Sequence, residues 1–301
     1  MSDPFSLVPF AMAGGGGRVD DWECQQLVAA GVTLLQRSPP LVRALTGRRS
    51  ALLLPTGPSF ITALAASDGR GAVLLNTRTA APEIAWQLRD AQVGAVFTIK
   101  TFAPHLPPGM PFVLLDEAPR LARVMIAGRA HEIDLGSHRG LALEGSRDAD
   151  GLEEECVVVY ASAMAGRVHG ARLTHRALIA TARATIAAME LTPLDHSLAL
   201  LPYSQLFGLT TSAVAPLLAG GRVTTMPRFN ARQALDIIEQ QGVTRLVGVP
   251  AVFALLVHAI ELRDAPLRGH QLRTCLCDGG PLSVALQDRF ASHTGVELRQ
   301  A

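Results

Sequence analysis

The stretch that decides the fold is Cys156-Val157-Val158-Val159-Tyr160-Ala161-Ser162-Ala163-Met164-Ala165-Gly166-Arg167-Val168-His169-Gly170-Ala171-Arg172-Leu173-Thr174-His175. Three consecutive valines followed by a tyrosine read as a strand buried on both faces. The small residues after Tyr160 read as a loop, and Thr174 reads as the cap of a helix running to about Glu190. A strand, a small-residue loop and a capped helix form the layout of a phosphate cradle. Backbone N–H groups and the positive helix end can then face an anion. The same layout also serves as an ordinary tight connection, and the loop alone does not decide between the two.

Outward from this stretch the pattern alternates. Upstream, strands are expected at Ala51–Leu54, Gly71–Leu75, Gly94–Ile99 and Phe112–Leu115. Between them lie a helical pattern after Asp20, a helix over Ser59–Ala66, and one opened by Pro82 that carries Ile84, Trp86 and Leu88. Downstream, strands are expected at Ser197–Leu201, Arg222–Met226, Val243–Val249, Leu272–Cys277 and Val296–Leu298. Helices are expected at 206–218, Ala231–Gln241, Ala251–Leu262 and from Pro281 to about His293. Residues 116–154 carry weak periodicity and read as a connection with one short strand or helix. Apolar strands separated by helices predict an α/β fold, with mainly parallel sheets covered by helices. The expected division is a flexible lead over 1–17, a first lobe over 18–155 and a second over 156–301. Ligands in such sheets sit beyond the carboxyl ends of strands, so chemistry is sought after Tyr160, Leu201, Val249 and Cys277.

Composition narrows the function classes. The 301 residues are 49% hydrophobic and 18% charged, which excludes a disordered or collagen-like chain. Net charge is +1 and aromatics are 5%, which disfavours a nucleic-acid binder. Lys100 is the single lysine, so any step needing a lysine uses it or borrows one from elsewhere. Of the four cysteines, Cys275 and Cys277 form C-x-C in an apolar run and read as two thiols on one face of a buried strand, not a zinc site. No secretory leader is read at the start, and the longest apolar segment, 206–218, is short for a membrane span. The expectation is a soluble, cytoplasmic protein without a metal site of its own.

The ordered motifs together resemble the adenylate-forming (AMP-binding) family, which includes acyl-CoA synthetases. Tyr160, Ser162, Gly166 and Gly170, then Leu173-Thr174-His175, match its phosphate loop and the segment after it. Leu201-Pro202-Tyr203-Ser204-Gln205-Leu206-Phe207-Gly208 resembles its L-P-x-F-H-x-x-G. Met226-Pro227-Arg228-Phe229, Gly248-Val249-Pro250 and Asp278-Gly279-Gly280-Pro281-Leu282 resemble its M-P-R-F, V-P-P and G-G-A-P-L segments. The resemblance runs from about Arg48 to Ala301 and implies two stacked lobes like the N-terminal domain of acyl-CoA synthetases, cut short at the C-terminus. It implies a nucleotide phosphate loop of Ser162, Gly166, His169, Gly170 and Thr174. It also implies an adenine turn of Gly279, Gly280 and Pro281, and an acyl pocket of Tyr203, Gln205, Phe207 and Gly208. ATP and Mg2+ are the implied cofactors, with CoA as acceptor.

Departures from the family pattern are concentrated in the loop. Ala163 replaces a glycine, Met164 and Ala165 replace hydroxyl residues, Val168 replaces a proline and His169 a lysine. A lost charge-assisted phosphate contact costs ~1.5–3 kcal/mol and each neutral one ~1 kcal/mol. Histidine, unlike lysine, is ordinarily mostly neutral at pH 7. His169 therefore reads either as an occasional phosphate ligand or as an exposed loop histidine. Gln205 stands where the family often has a histidine and cannot titrate. Phe207 reads either as a pocket wall or as the start of a buried helix. Gly279 and Gly280 serve a ring stacking on backbone, a turn with positive φ, or both.

Val296–Ala301 resembles the strand that in the family runs into Y-G-x-T-E. The resemblance therefore puts the Thr–Glu pair, the ribose aspartate and the lysine-bearing C-terminal lid outside these residues. Catalytic residues are not assigned. The expectation is a ligase by descent, ancestrally converting a carboxylic (fatty) acid to its adenylate and CoA thioester, and inactive as an isolated chain. The alternative is a non-catalytic acyl- or nucleotide-binding module that pairs with another polypeptide or with itself.

Overall fold

The computed structural model describes residues 7–67, 71–136, 151, 153–161, 168–263 and 267–300. In chain order its strands are β1 (Arg18–Val19), β2 (Trp22–Glu23), β3 (Arg49–Leu53), β4 (Ala72–Leu74), β5 (Val93–Thr98), β6 (Phe112–Leu115), β7 (Leu121–Ile126) and β8 (Arg129–Asp134). They continue with β9 (Glu155–Tyr160), β10 (Gly170–Thr174), β11 (His196–Ala199), β12 (Arg222–Thr225), β13 (Arg245–Gly248), β14 (Thr274–Cys277) and β15 (Leu298–Gln300). One sheet has the order β10-β9-β4-β3-β5-β6-β7-β8, the other β15-β14-β13-β11-β12-β1-β2. The inner pairs of both sheets are parallel, as the unbroken apolar runs require. Antiparallel pairs occur at the margins, in the β1–β2, β6–β7, β7–β8 and β9–β10 ladders.

The lobe boundary expected at 155/156 cuts through a sheet. β9 pairs with β4, Ala72 opposite Val157, so residues 155–174 complete the first sheet. Conversely, β1 pairs with β12, Arg18 opposite Arg222, so residues 18–23 complete the second. Each sheet thus borrows a hairpin from the other half of the chain. A single apolar cluster spans both, joining Leu52 and Phe60 to Tyr203, Val223 and Val247.

Three further expectations change. The lead over 1–17 contains the helix Val8–Gly14, whose Val8 and Met12 are fully buried, so its described part is packed. The connection over 116–154 contains two strands, β7 and β8, where one short element was expected. The segment Gly170–Thr174, read as loop, is a strand.

The 206–218 helix forms as expected, but it widens to a π-turn over Thr210–Val214. Thr210 and Thr211 turn their hydroxyls back onto the carbonyls of Leu206 and Phe207, which loosens that turn. Next to β11, a buried network pins the second sheet. Asp195 accepts hydrogen bonds from Arg245 Nε at 2.7 Å, Thr244 Oγ1 at 2.8 Å and Thr192 N–H at 2.9 Å. Burial pushes the Asp195 carboxyl up, but those donors outweigh it and hold the group down at about 2.

Candidate active site

The strands β3, β9, β11, β12, β13 and β14 all run towards loops that carry a motif, and the inner ones run parallel. β9 leads into the turn whose sequence resembles the family's phosphate loop. Tyr160 does not point into it: its hydroxyl donates to Asp90 Oδ2 at 2.6 Å, and its ring stands edge-on to Trp86. Burial, then the Asp90 carboxylate, pushes its phenol well above the usual range. Tyr160 is a clamp on the helix Ala81–Asp90. The Ala161 N–H donates to the His169 carbonyl at 3.1 Å, closing the turn across its neck. His169 and Gly170 are exposed. Ser162 and Gly166 lie outside the described residues.

The helix that was to aim its dipole at this turn does not reach it. β10 runs antiparallel to β9, from Gly170 opposite Tyr160 to Thr174 opposite Glu155. Thr174 does cap the helix His175–Met189, accepting from the Ala177 N–H at 3.2 Å. At ~3.4 Å per strand residue that cap is roughly 14 Å from the turn. Thr174 is therefore removed from the phosphate-loop set. The sequence lacked a cue for this: Gly170-Ala171-Arg172 has no apolar alternation, and its strand exists only through pairing with β9.

The turn after β14 is better defined. The Asp278 N–H donates to the Gly248 carbonyl at 3.1 Å, seating the turn against the end of β13. Gly279 has φ +81°, and a Cβ there would lie 3.2 Å from Val249 Cγ1. Backbone conformation alone thus demands glycine at 279. Gly280 is outside the positive-φ set, and a Cβ there would meet only Pro250 at 3.6 Å. Its glycine leaves the surface flat, which suits a planar ring. Pro281 is exposed and precedes the helix, which begins at Val284 behind a Ser283 cap.

The loop after β11 divides the expected acyl residues. Tyr203 is 1% exposed, stacks edge-on against Phe60 and donates its hydroxyl to the Ser212 carbonyl. Its N–H donates to Thr56 Oγ1 at 3.2 Å, which ties the two halves of the chain together. Gly208 is buried where a Cβ would come within 2.3 Å of the Pro202 carbonyl oxygen. Both residues are core in this structure. Gln205 is exposed and Phe207 half-buried, so these two remain available to a ligand.

A feature missed from sequence is a cavity of about 320 Å³ at the ends of β3 and β12, with Asp20, Trp22, Thr56, Ser59 and Thr225 among its lining. Asp20 accepts from the Thr225 N–H and hydroxyl, both at 2.7 Å, across 205 positions. Burial raises its carboxyl against those bonds. Only the tertiary fold brings these groups together. Cys275 and Cys277 lie in one buried cluster, as their spacing implied, and burial pushes Cys275 up to about 12.

The sequence profile described as "AMP-binding enzyme" matches residues 44–301. The chain belongs to this family. AMP-binding relatives include a feruloyl-CoA synthase from Amycolatopsis sp., 31% identical over 246 residues, 81% of this chain and 46% of the relative. A 4-coumarate–CoA ligase-like protein 3 from Oryza sativa subsp. japonica is 29% identical, over 96% of this chain and 51% of the relative. The chain spans about half the length of the curated relatives it matches. Among solved structures, the anthranilate CoA ligase AuaEII in complex with anthranoyl-AMP aligns with a TM-score of 0.77 at 19% identity, over 98% of this chain and 59% of that one. Apo MatB from Rhodopseudomonas palustris aligns with a TM-score of 0.72 at 20% identity, over 100% and 57%. These likenesses establish the fold of the N-terminal domain of adenylate-forming enzymes. Among the described residues, no helix is long and apolar enough to cross a membrane.

Proposed function

We propose that this chain forms the nucleotide- and acid-seating portion of an acid–CoA ligase, with its triphosphate grip weakened. The carrying observation is the Gly279–Gly280 turn, seated on β13 and open above Gly280. In this reading adenine lies on Gly279, Gly280 and Pro281. The phosphates are assigned to the turn between Ala161 and Gly170, with His169, and the acid to Gln205 and Phe207. In the reaction class, a carboxylate oxygen attacks the α-phosphorus and pyrophosphate leaves. The CoA thiol then displaces AMP from the acyl carbon. The relatives' names cite feruloyl, coumarate and succinylbenzoate substrates, so an aromatic acid is favoured over a fatty acid.

Catalysis of this kind is mostly positioning plus charge stabilisation. Here the loop offers Met164 and Ala165 in place of hydroxyls and His169 in place of a lysine. Among the described residues no group of three His, Cys, Asp or Glu side chains is spaced to hold a metal ion. The same substitutions favour the second reading, a module that binds acid or nucleotide without turnover. The test is ATP–pyrophosphate exchange by the 301-residue chain with ferulate, coumarate and fatty acids. No exchange is expected. Robust exchange that disappears on changing Ser162 or Gly166 would overturn the weakened-loop reading.

A further inference from the structure

His175 opens the helix at the foot of the β9–β10 hairpin and is 1% exposed. Its Nδ1 accepts a hydrogen bond from the Val8 backbone N–H at 3.2 Å, across 167 positions. An accepting ring nitrogen carries no proton, so the proton sits on Nε2. Nε2 is buried and, among the described residues, has no hydrogen-bond partner. The Val8 N–H belongs to the first turn of the helix Val8–Gly14, one of the donors a helix cannot satisfy internally. The imidazole therefore supplies the acceptor that docks this helix.

Among the described residues, the surroundings offer no compensation for a charge on the ring. Among the described residues, the elements packed most extensively on the His175–Met189 helix are Val8–Gly14, β10 and residues 210–218. The first and last carry no titratable side chain. β10 carries Arg172, which turns outward to Glu155. On the helix itself, Arg176 pairs with Glu153 at the surface. The His175 N–H meets only the backbone carbonyl of Glu154, whose side chain is exposed. A second proton on the ring would point Nδ1–H at the Val8 N–H, and both could not remain in place.

We propose that His175 is the latch of an acid-sensitive strap: its neutral ring holds the helix Val8–Gly14 against the body, and protonation releases that helix. Burial supports this direction, lowering the imidazole from 6.5 to about 4. A group held below its unfolded value contributes its stability above pH 6.5 and loses it as pH falls towards 4. Release uncovers Val8, Ala11 and Met12 together with the apolar surface beneath them, and it frees the foot of the hairpin whose tip is the phosphate turn.

The test is hydrogen exchange of the full chain at pH 7.5 and 4.5, corrected for intrinsic rates, in wild type, His175→Gln and Val8→Pro. Glutamine can accept from Val8 but cannot titrate, and proline at this helix start deletes the donor. Protection of residues 8–14 is expected to fall more than about tenfold in wild type at pH 4.5, while β5 stays protected. It is expected to hold at both pH values in His175→Gln and to be low at both in Val8→Pro. If a variant fails to fold, the His175 midpoint in wild type, read by NMR, decides: near 4 supports the latch and above 6 overturns it. Unchanged protection in wild type, loss together with β5, or the same acid loss in His175→Gln overturns the proposal.

Discussion

Thr174 stands opposite Glu155 at the foot of the ladder that begins with Gly170 opposite Tyr160. That pairing separates two tasks that the linear order of residues had merged. The helix cap works at one end of β10 and the phosphate turn at the other. Thr174→Ala is therefore expected to lower stability by about 1 kcal/mol through the lost cap and to leave nucleotide affinity unchanged. Thermal unfolding and nucleotide titration of the same variant check both halves.

Glycine at 279 is demanded by backbone geometry and glycine at 280 is not. Gly279→Ala is expected to cost about 1 kcal/mol or more of stability, because alanine resists positive φ. Gly280→Val should fold normally and weaken AMP binding, because it fills the flat surface. Equal AMP affinity in Gly280→Val and wild type would remove the adenine assignment.

Asp195 and Arg245 are both buried, and removing one leaves the other charge unpaired. Asp195→Ala is expected to destabilise by roughly 3–5 kcal/mol, visible in chemical denaturation. The pH dependence has a defined sign. A carboxyl held at about 2 instead of 3.8 contributes its stability above pH 4 and loses it as pH falls towards 2. Wild type should therefore lose stability across that window more steeply than Asp195→Asn.

Gly208 sits where a Cβ would press on the Pro202 carbonyl. Gly208→Ala is expected to destabilise by about 1–3 kcal/mol through overpacking. If it instead alters only acid binding, Gly208 lines a ligand pocket and the core placement is wrong.

Much of the fold was legible because buried parallel strands leave unbroken apolar runs, as in Cys156–Val158 and Leu246–Val247. What was missed depends on partners distant in sequence. β8 exposes most of its residues and leaves no apolar signature. β1 and β2 hold only two residues each and exist by pairing with β12. Tyr203 reads as a pocket residue because its motif resembles the family's L-P-x-F-H-x-x-G segment. Its burial follows from Phe60 and Thr56, which the sequence places more than a hundred residues away. The turn after β14 was readable because Gly279-Gly280 marks a backbone that needs positive φ and a close approach.

The most direct measurement is calorimetric titration of ATP into wild type and into Met164→Thr/Ala165→Thr/His169→Lys. Restoring two hydroxyls and one permanent cation is predicted to tighten ATP binding by roughly tenfold or more, with AMP affinity little changed. Identical ATP affinity in the two proteins would contradict the claim that the turn after Tyr160 faces the phosphates.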